Sequence, residues 1–179
     1  MNTSPRTRRR NHDAWLAATA LLLLMSGVAA AAPAADLHCT LTAPASVVVG
    51  QPVPLRFTLA NRSAAAVRVL EWGTPLEGWF AAYVEVSRDG IAVPYRGPMV
   101  KRGDPAADEY VRIAAHGSRR AEVDLAQPFD LSIPGVYRVR PRIKLFDVMK
   151  ATVPAPRPRD RHASQTLSCP ELEVRVEAR

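Results

Sequence analysis

The chain has 179 residues, of which 16 are proline and two are cysteine, and it carries a net charge of +7. So many prolines disfavour a fold of long helices, because proline interrupts the helical hydrogen-bond ladder. The charge is modest and aromatic residues make up only 6% of the chain, so basic patches with interleaved aromatic residues are absent and nucleic acid is not the expected partner.

Residues 1–34 have the composition of a signal peptide. Four arginines precede an apolar run from Trp15 to Val28, and small residues follow up to Ala34. A basic start, a short apolar run and an A-x-A site are the three parts of a secretory signal, and the run is too short for a comfortable membrane span. We expect cleavage after Ala34. The remainder, residues 35–179, is then one exported domain, periplasmic or extracellular, with no membrane span and a charge of +4.

Cys39 and Cys169 lie near the two ends of this predicted domain. Exported proteins with two cysteines usually join them, so we predict a disulfide bond between the two. A zinc site that adds His38 and His162 is the alternative, but no C-x-x-C or H-x-x-x-H spacing supports it. The sequence therefore predicts no metal and no cofactor.

Apolar and polar residues alternate with period two along most of residues 35–179, which predicts strands with one buried face. In chain order, the predicted inward residues are Leu37, Cys39 and Leu41; Val53, Leu55, Phe57 and Leu59; Ala82, Val84 and Val86; Val111 and Ile113; Ala121, Val123 and Leu125; Tyr137, Val139 and Ile143; Leu172, Val174 and Val176. Asp89-Gly90 predicts a two-residue hairpin, because a type I′ turn needs positive φ at both positions. About seven to nine short strands with frequent turns predict an all-β fold, an immunoglobulin-like antiparallel β-sandwich.

Gly135 and Tyr137 stand at the entry to a predicted strand, directly after a turn at Pro134. In immunoglobulin-like sandwiches a tyrosine at such a corner sends its hydroxyl back to upstream backbone. We assign this structural role to Gly135 and Tyr137, with an ordinary core tyrosine as the alternative.

A row of positive charge, at Arg138, Arg140, Arg142 and Lys144, occupies the outer face of the same predicted strand. It could bind an anionic partner. We favour the structural interpretation, in which acidic residues of the last strand, Glu173 and Glu177, lie across from the row and stabilise the sheet modestly.

Residues 153–164 are rich in proline and arginine and poor in apolar residues. Such a segment cannot form a strand ladder and has little surface to bury. We therefore expect an exposed loop between the last two strands.

Two irregular stretches, residues 69–80 and 97–103, interrupt the alternation. A loop rich in aromatic residues either closes one end of a sandwich or binds a partner. We expect Glu77 to form an ion pair with Lys101 or Arg102, and burial of both tryptophans in the core is the alternative to a binding role. The candidate partner-binding residues are Trp72, Glu77, Trp79, Met99, Lys101 and Arg102.

The same stretches resemble a known family. Thr74 to Gly78 reads T-P-L-E-G, and Tyr95 to Arg102 fits Y-x-G-x-M-x-K-R. Together with flanking blocks between Leu55 and Arg142, these resemble the N-terminal, propeptide-side domain of deuterolysin-family peptidyl-lysine metalloendopeptidases. The zinc-binding H-E-x-x-H motif of that family's catalytic domain has no counterpart in residues 1–179. The resemblance thus implies a propeptide-type domain without the catalytic domain.

The sequence contains no G-x-S-x-G motif and no glycine-rich phosphate loop, so we predict no catalytic residues and no enzyme. The leading hypothesis is an exported binding domain whose protein partner is a secreted metalloprotease, which it inhibits or helps to fold. A general envelope or adhesion sandwich without a protease partner is the alternative. A third hypothesis makes the aromatic loop of residues 72–80 part of a hydrolase site.

Overall fold

The structure of the chain is a computed structural model that describes residues 35–179 and Met1. The predicted signal peptide, residues 1–34, lies outside the described residues except for Met1. The described part contains thirteen short strands: β1 (Leu37–Thr42), β2 (Ser46–Val48), β3 (Pro54–Asn61), β4 (Val67–Leu70), β5 (Val84–Arg88), β6 (Ile91–Val93), β7 (Tyr110–Ile113), β8 (Ser118–Asp124), β9 (Gly135–Pro141), β10 (Lys144–Leu145), β11 (Val148–Lys150), β12 (Gln165–Thr166) and β13 (Leu172–Glu177). Single-turn 3-10 helices occupy Pro75–Glu77, Ala107–Glu109 and Arg159–Arg161. Over the same residues, no helix has the length and apolar character needed to cross a membrane.

The strands form an antiparallel sandwich, which confirms the predicted all-β fold. One sheet has the order β2-β13-β9-β5-β6, and smaller sheets of order β1-β3-β8 and β11-β4-β7 supply further strands. Strand pairing is antiparallel except between β13 and β2. Inward side chains of different sheets, such as Phe57 on β3 and Val139 on β9, belong to one buried core.

Where one face of a strand contacts solvent, the period-two alternation predicts the buried residues of this core correctly. On β3, Leu55, Phe57 and Leu59 are all fully buried, as predicted. Asp89 and Gly90 join β5 to β6 with φ values of 50° and 85°. The hairpin prediction is therefore confirmed.

A disulfide bond and a tyrosine hydrogen bond fix parts of the domain to each other. Cys39 on β1 and Cys169 are joined by a disulfide bond with their Cα atoms 5.1 Å apart, which confirms the predicted pairing and leaves neither sulfur for zinc. Tyr137 on β9 is buried, and its hydroxyl donates to the carbonyl oxygen of Ile133 at 2.7 Å. This contact, four residues back along the chain, has the geometry of a tyrosine corner.

The predicted row of cations does not lie on one strand. β9 ends at Pro141, which has no N–H to donate to a ladder, and Lys144 lies in β10. Acidic neighbours face three of its members: Arg138 binds Glu173 at 2.8 Å, and Arg140 and Arg142 bind other glutamates. Glu177, the other expected partner, makes no ion pair within the described part of the chain. The row is thus mostly neutralised on the protein itself, as the structural interpretation requires.

Candidate functional site

The two irregular stretches meet in space around one groove with a volume of about 530 Å³. Side chains of residues 72–81 and 99–102 form part of its wall, and side chains of residues 144–146 and 159–164 complete it. The groove therefore joins segments that lie far apart in the sequence.

A local turn fixes the first wall. The Thr74 hydroxyl accepts a hydrogen bond from the amide of Leu76 and so caps the 3-10 helix at Pro75–Glu77. Gly73 precedes the cap with a φ of +67°, a value that favours glycine. A Cβ added to Gly73 would also come within 2.8 Å of the Phe146 ring. Glycine here lets the Phe146 ring lie directly against the backbone of the groove.

Glu77 and Arg102, which both line the groove, form a largely buried ion pair. The Glu77 side chain is only 5% exposed and the Arg102 side chain 25%. The carboxylate also accepts a hydrogen bond from the Gly73 amide at 2.6 Å. The predicted ion pair is thus formed, and Arg102, not Lys101, is the partner.

Arg102 is sandwiched by aromatic and acidic groups. Its guanidinium carbon lies 5.1 Å from the centre of the Trp72 ring and 5.9 Å from that of Phe80. The Trp72 indole donates to a Glu109 carboxylate oxygen at 2.8 Å, and Glu109 lies 3.8 Å from the guanidinium. Cation–π contacts and ion pairs together hold this arginine in place.

The carboxylates around Arg102 have different pKa values for identifiable reasons. Burial raises the pKa of Glu71, and the nearby charges of Glu77 and Glu109 raise it further. Burial also raises the pKa of Glu77, although the Gly73 amide and the Arg102 guanidinium oppose the change. The pKa of Glu109 is lowered, chiefly by a hydrogen bond from the backbone amide of Ala106.

Apolar side chains are exposed along the groove. Phe80 is 45% exposed, Met99 71%, Val100 44% and Phe146 44%. Apolar side chains that gather at one concave place are typical of an interaction site, whereas isolated ones are ordinary. The groove therefore combines a concave shape with exposed apolar side chains.

A buried carboxylate that sequence analysis missed fixes the opposite wall. Asp147 is fully buried and forms an ion pair with Arg157, and it accepts hydrogen bonds from the Tyr110 hydroxyl at 3.0 Å and the Ala163 amide at 2.9 Å. Burial tends to raise the pKa of Asp147, but the hydrogen bonds from Arg157, Ala163 and Tyr110 outweigh it and the pKa is lowered. Burial and the hydrogen bond to Asp147 raise the pKa of Tyr110 to about 12.

The segment of residues 153–164 is therefore attached at several points, whereas the sequence predicts an exposed loop throughout. Arg157 and Ala163 bind Asp147, and the Val153 carbonyl oxygen accepts a hydrogen bond from Arg68. Most residues of the segment are exposed, but Arg157 is turned inward. Another contact joins the segment to the other wall, because the Arg159 guanidinium donates to the Arg102 carbonyl oxygen at 3.1 Å. A single aspartate inside the apolar run of residues 145–149 was the sequence signal for this arrangement.

The structure brings four of the six candidate partner-binding residues to the groove: Trp72, Glu77, Met99 and Arg102. Trp79 takes the core position that was the alternative interpretation. It is 7% exposed, stacks on Tyr83 with ring centres 4.5 Å apart, and donates from its indole to the Asp124 carbonyl oxygen. Lys101 is exposed beside the groove, outside its lining. Across residues 35–179, no group of three or more His, Cys, Asp or Glu side chains is placed to hold a metal ion.

Comparison with known sequences gives a partial relative. No protein-family model matches the chain. An extracellular protease of Aeromonas hydrophila is 33% identical over 126 residues, which are 69% of this chain and 35% of the protease. The chain thus spans about a third of the length of that relative. This similarity and the disulfide bond support an exported protein.

Solved structures are similar to the chain only at low identity and low TM-score. The CARDB domain of a Pyrococcus furiosus protein, in complex with di-metal ions, has 12% identity and a TM-score of 0.34, with 80% of this chain and 89% of that domain covered. The alkylpurine DNA glycosylase of Pseudomonas fluorescens, bound to DNA, has 15% identity and a TM-score of 0.31, with 82% of this chain and 31% of the glycosylase covered.

Proposed function

We propose that this chain is an exported, non-enzymatic binding domain whose partner is a secreted metalloprotease, which it inhibits or helps to fold. The groove bounded by Trp72, Phe80, Met99 and Phe146 is the binding surface in this proposal.

One observation carries the proposal. Glu77 belongs to the T-P-L-E-G block and Arg102 to the Y-x-G-x-M-x-K-R block, the two blocks that resemble a protease-associated domain, and these residues form an ion pair at the groove. The resemblance therefore concerns one surface as well as a scaffold. Similarity to an extracellular protease over 69% of the chain supports the same class of partner.

The proposal is tested on the Aeromonas hydrophila extracellular protease and on a deuterolysin-family peptidyl-lysine metalloendopeptidase. The secreted chain is titrated against each active enzyme while hydrolysis of a lysine-containing fluorogenic peptide is followed. In parallel, each denatured protease is refolded with and without the chain, and the recovered activity is measured. We expect saturable inhibition or a higher refolding yield with at least one enzyme.

A matched control separates a specific effect from a general protein effect. The control variant Phe80→Glu with Met99→Glu places negative charge on the exposed apolar side chains of the groove. It should neither inhibit the protease nor raise its refolding yield. Lack of any effect of the parent chain on both enzymes would contradict the proposal and favour an envelope or adhesion sandwich without a protease partner.

A further inference from the structure

We infer that the groove accepts an acidic, apolar segment of the partner protein, with Lys144 and Arg159 binding its carboxylates. This inference rests on the proposed function, because it names the chemistry of the segment that the same groove would bind.

The first observation is which of the cationic side chains lining the groove have acidic partners. The charge of Arg102 is matched by Glu77, and Glu109 lies close to the same guanidinium. Lys144 and Arg159 also line the groove, and neither forms an ion pair in the part of the chain that the structure describes. The walls thus present two cations that form no ion pair within the described residues. A partner with carboxylates would complement them.

The second step is the position of these cations relative to the apolar rim. The Lys144 ammonium lies 5.9 Å from the centre of the Phe146 ring. Arg159 is held beside the first wall by its hydrogen bond to the Arg102 carbonyl oxygen. Charged and apolar side chains therefore line the same concavity, which suits a segment that carries both acidic and apolar side chains.

The third observation is that the segment carrying Arg159 is held in place on the domain. Arg157 and Ala163 both bind the buried carboxylate of Asp147, on either side of Arg159. A short segment fastened at both ends places its exposed arginine without a large entropic cost upon binding. Asp147 is thus a positioning residue for the groove and does not contact the partner.

The direct test uses peptides, so it does not depend on whether a protease binds. The probe is a fluorescein-labelled peptide Glu-Leu-Glu-Phe-Glu, and its matched control is Lys-Leu-Lys-Phe-Lys. Fluorescence polarisation with the full secreted chain should show affinity for the acidic peptide at least about ten-fold higher than for the basic one, falling as salt rises to about 0.5 M. Equal affinities, or binding of neither peptide, would overturn the inference.

Charge reversal locates the contact. Lys144→Glu with Arg159→Glu should weaken binding of the acidic peptide, and of any protease that binds, by about ten-fold or more. The control, Arg120→Glu with Arg175→Glu, makes the same net-charge change at exposed residues outside the groove and should leave binding unchanged. If the double variant at the groove melts early, Lys144→Glu alone serves the same comparison.

The experiments can refute the acidic-segment inference and the proposed function independently of each other. A protease that binds the parent chain and the Lys144→Glu, Arg159→Glu variant equally well would refute the acidic-segment inference and leave the proposed function standing. Binding of the acidic peptide without binding of any protease would refute the proposed partner and leave the groove chemistry standing. A groove occupied by a second copy of the chain would appear as a dimer in size-exclusion chromatography that the reversal abolishes, and this result would also overturn the inference.

Discussion

The carboxylate of Glu77 is almost fully buried and is paired with the guanidinium of Arg102, 25 residues further along the chain. Each residue belongs to a different irregular stretch, so this pair joins the two loops, together with the hydrogen bond from the Val100 amide to the Phe80 carbonyl oxygen. Its loss should therefore affect stability as well as binding.

Replacement of Arg102 by methionine should lower the free energy of unfolding by about 3 kcal/mol, because a buried carboxylate would lose its partner. The double variant Glu77→Gln with Arg102→Met should recover part of that loss, since no uncompensated charge remains. Denaturant unfolding of the single and double variants measures the coupling. Purely additive losses would show that the two side chains do not interact.

Two buried tyrosines provide a matched pair for a second prediction. The Tyr137 hydroxyl donates to Ile133, whereas the Tyr83 hydroxyl has no hydrogen-bond partner among the described residues. Tyr137→Phe should cost about 1 kcal/mol, and Tyr83→Phe should be neutral or stabilising because it removes an unsatisfied buried group. Thermal melts of both variants test this. Equal losses at the two positions would contradict the assigned corner role of Tyr137.

The disulfide bond between Cys39 and Cys169 spans 130 residues of sequence. Replacing both cysteines by serine should lower stability by roughly 2–5 kcal/mol, because the unfolded chain regains the freedom that the closed loop removes. Ellman titration of the denatured, unreduced parent should find no free thiol. Urea unfolding of the parent with and without reductant should reproduce the loss seen in the double variant.

Sequence pattern predicts this fold well where a strand has one buried and one wet face. The alternation in β1, β3 and β13 gave the correct inward residues, because each outward position meets solvent. It failed for β4, where the adjacent residues Val69 and Leu70 are both buried, and for β11, which has only three residues.

The candidate site was predictable in part. Irregular, aromatic composition identified the stretches of Trp72 and Met99, and opposite charge identified Glu77 with Arg102. Trp79 could not be distinguished from its neighbours, because the same aromatic composition suits a core and an interface. Asp147 was missed because its partner Arg157 lies in a segment that has the composition of a solvated loop.

Asp147 should make stability depend on pH. Its pKa in the folded protein lies below the ordinary value of 3.8, so its contribution is fully present above that value and is lost as pH falls through the lower, folded pKa. Asp147→Asn should cost up to about 3 kcal/mol near neutral pH, because Arg157 is left without its partner. The gap between parent and variant should narrow as pH falls below 3.8.

Denaturant unfolding at several pH values measures this gap. Glu173→Gln is the control, since its ion pair with Arg138 is exposed to solvent on both sides and should contribute little to stability. The Asp147 variant should also release residues 157–163, so trypsin should cut after Arg159 or Arg161 faster than in the parent. A gap that is constant with pH would contradict the role of the Asp147 charge.

The contribution of the exposed apolar side chains of the groove to binding must be tested with residues other than Trp79. Trp79→Ala is unsuitable, because Trp79 is a core residue and its truncation should cost about 3–5 kcal/mol of stability. Phe80 and Met99 are exposed at the groove, so Phe80→Ala with Met99→Ala should cost only about 1 kcal/mol of stability, mainly through the lost cation–π contact between Phe80 and Arg102. If these residues contact the partner, the double variant should weaken protease binding by about ten-fold or more, the loss typical of one or two interface anchors.

The matched control is Ile91→Ala with Ile133→Ala, which removes exposed apolar surface of similar kind at residues outside the groove. Affinities of the parent and both double variants, measured by surface plasmon resonance on an immobilised protease that binds the parent, decide the outcome. Equal weakening by the two pairs would mean that apolar surface acts nonspecifically, and no weakening by the groove pair would place the interface elsewhere on the domain.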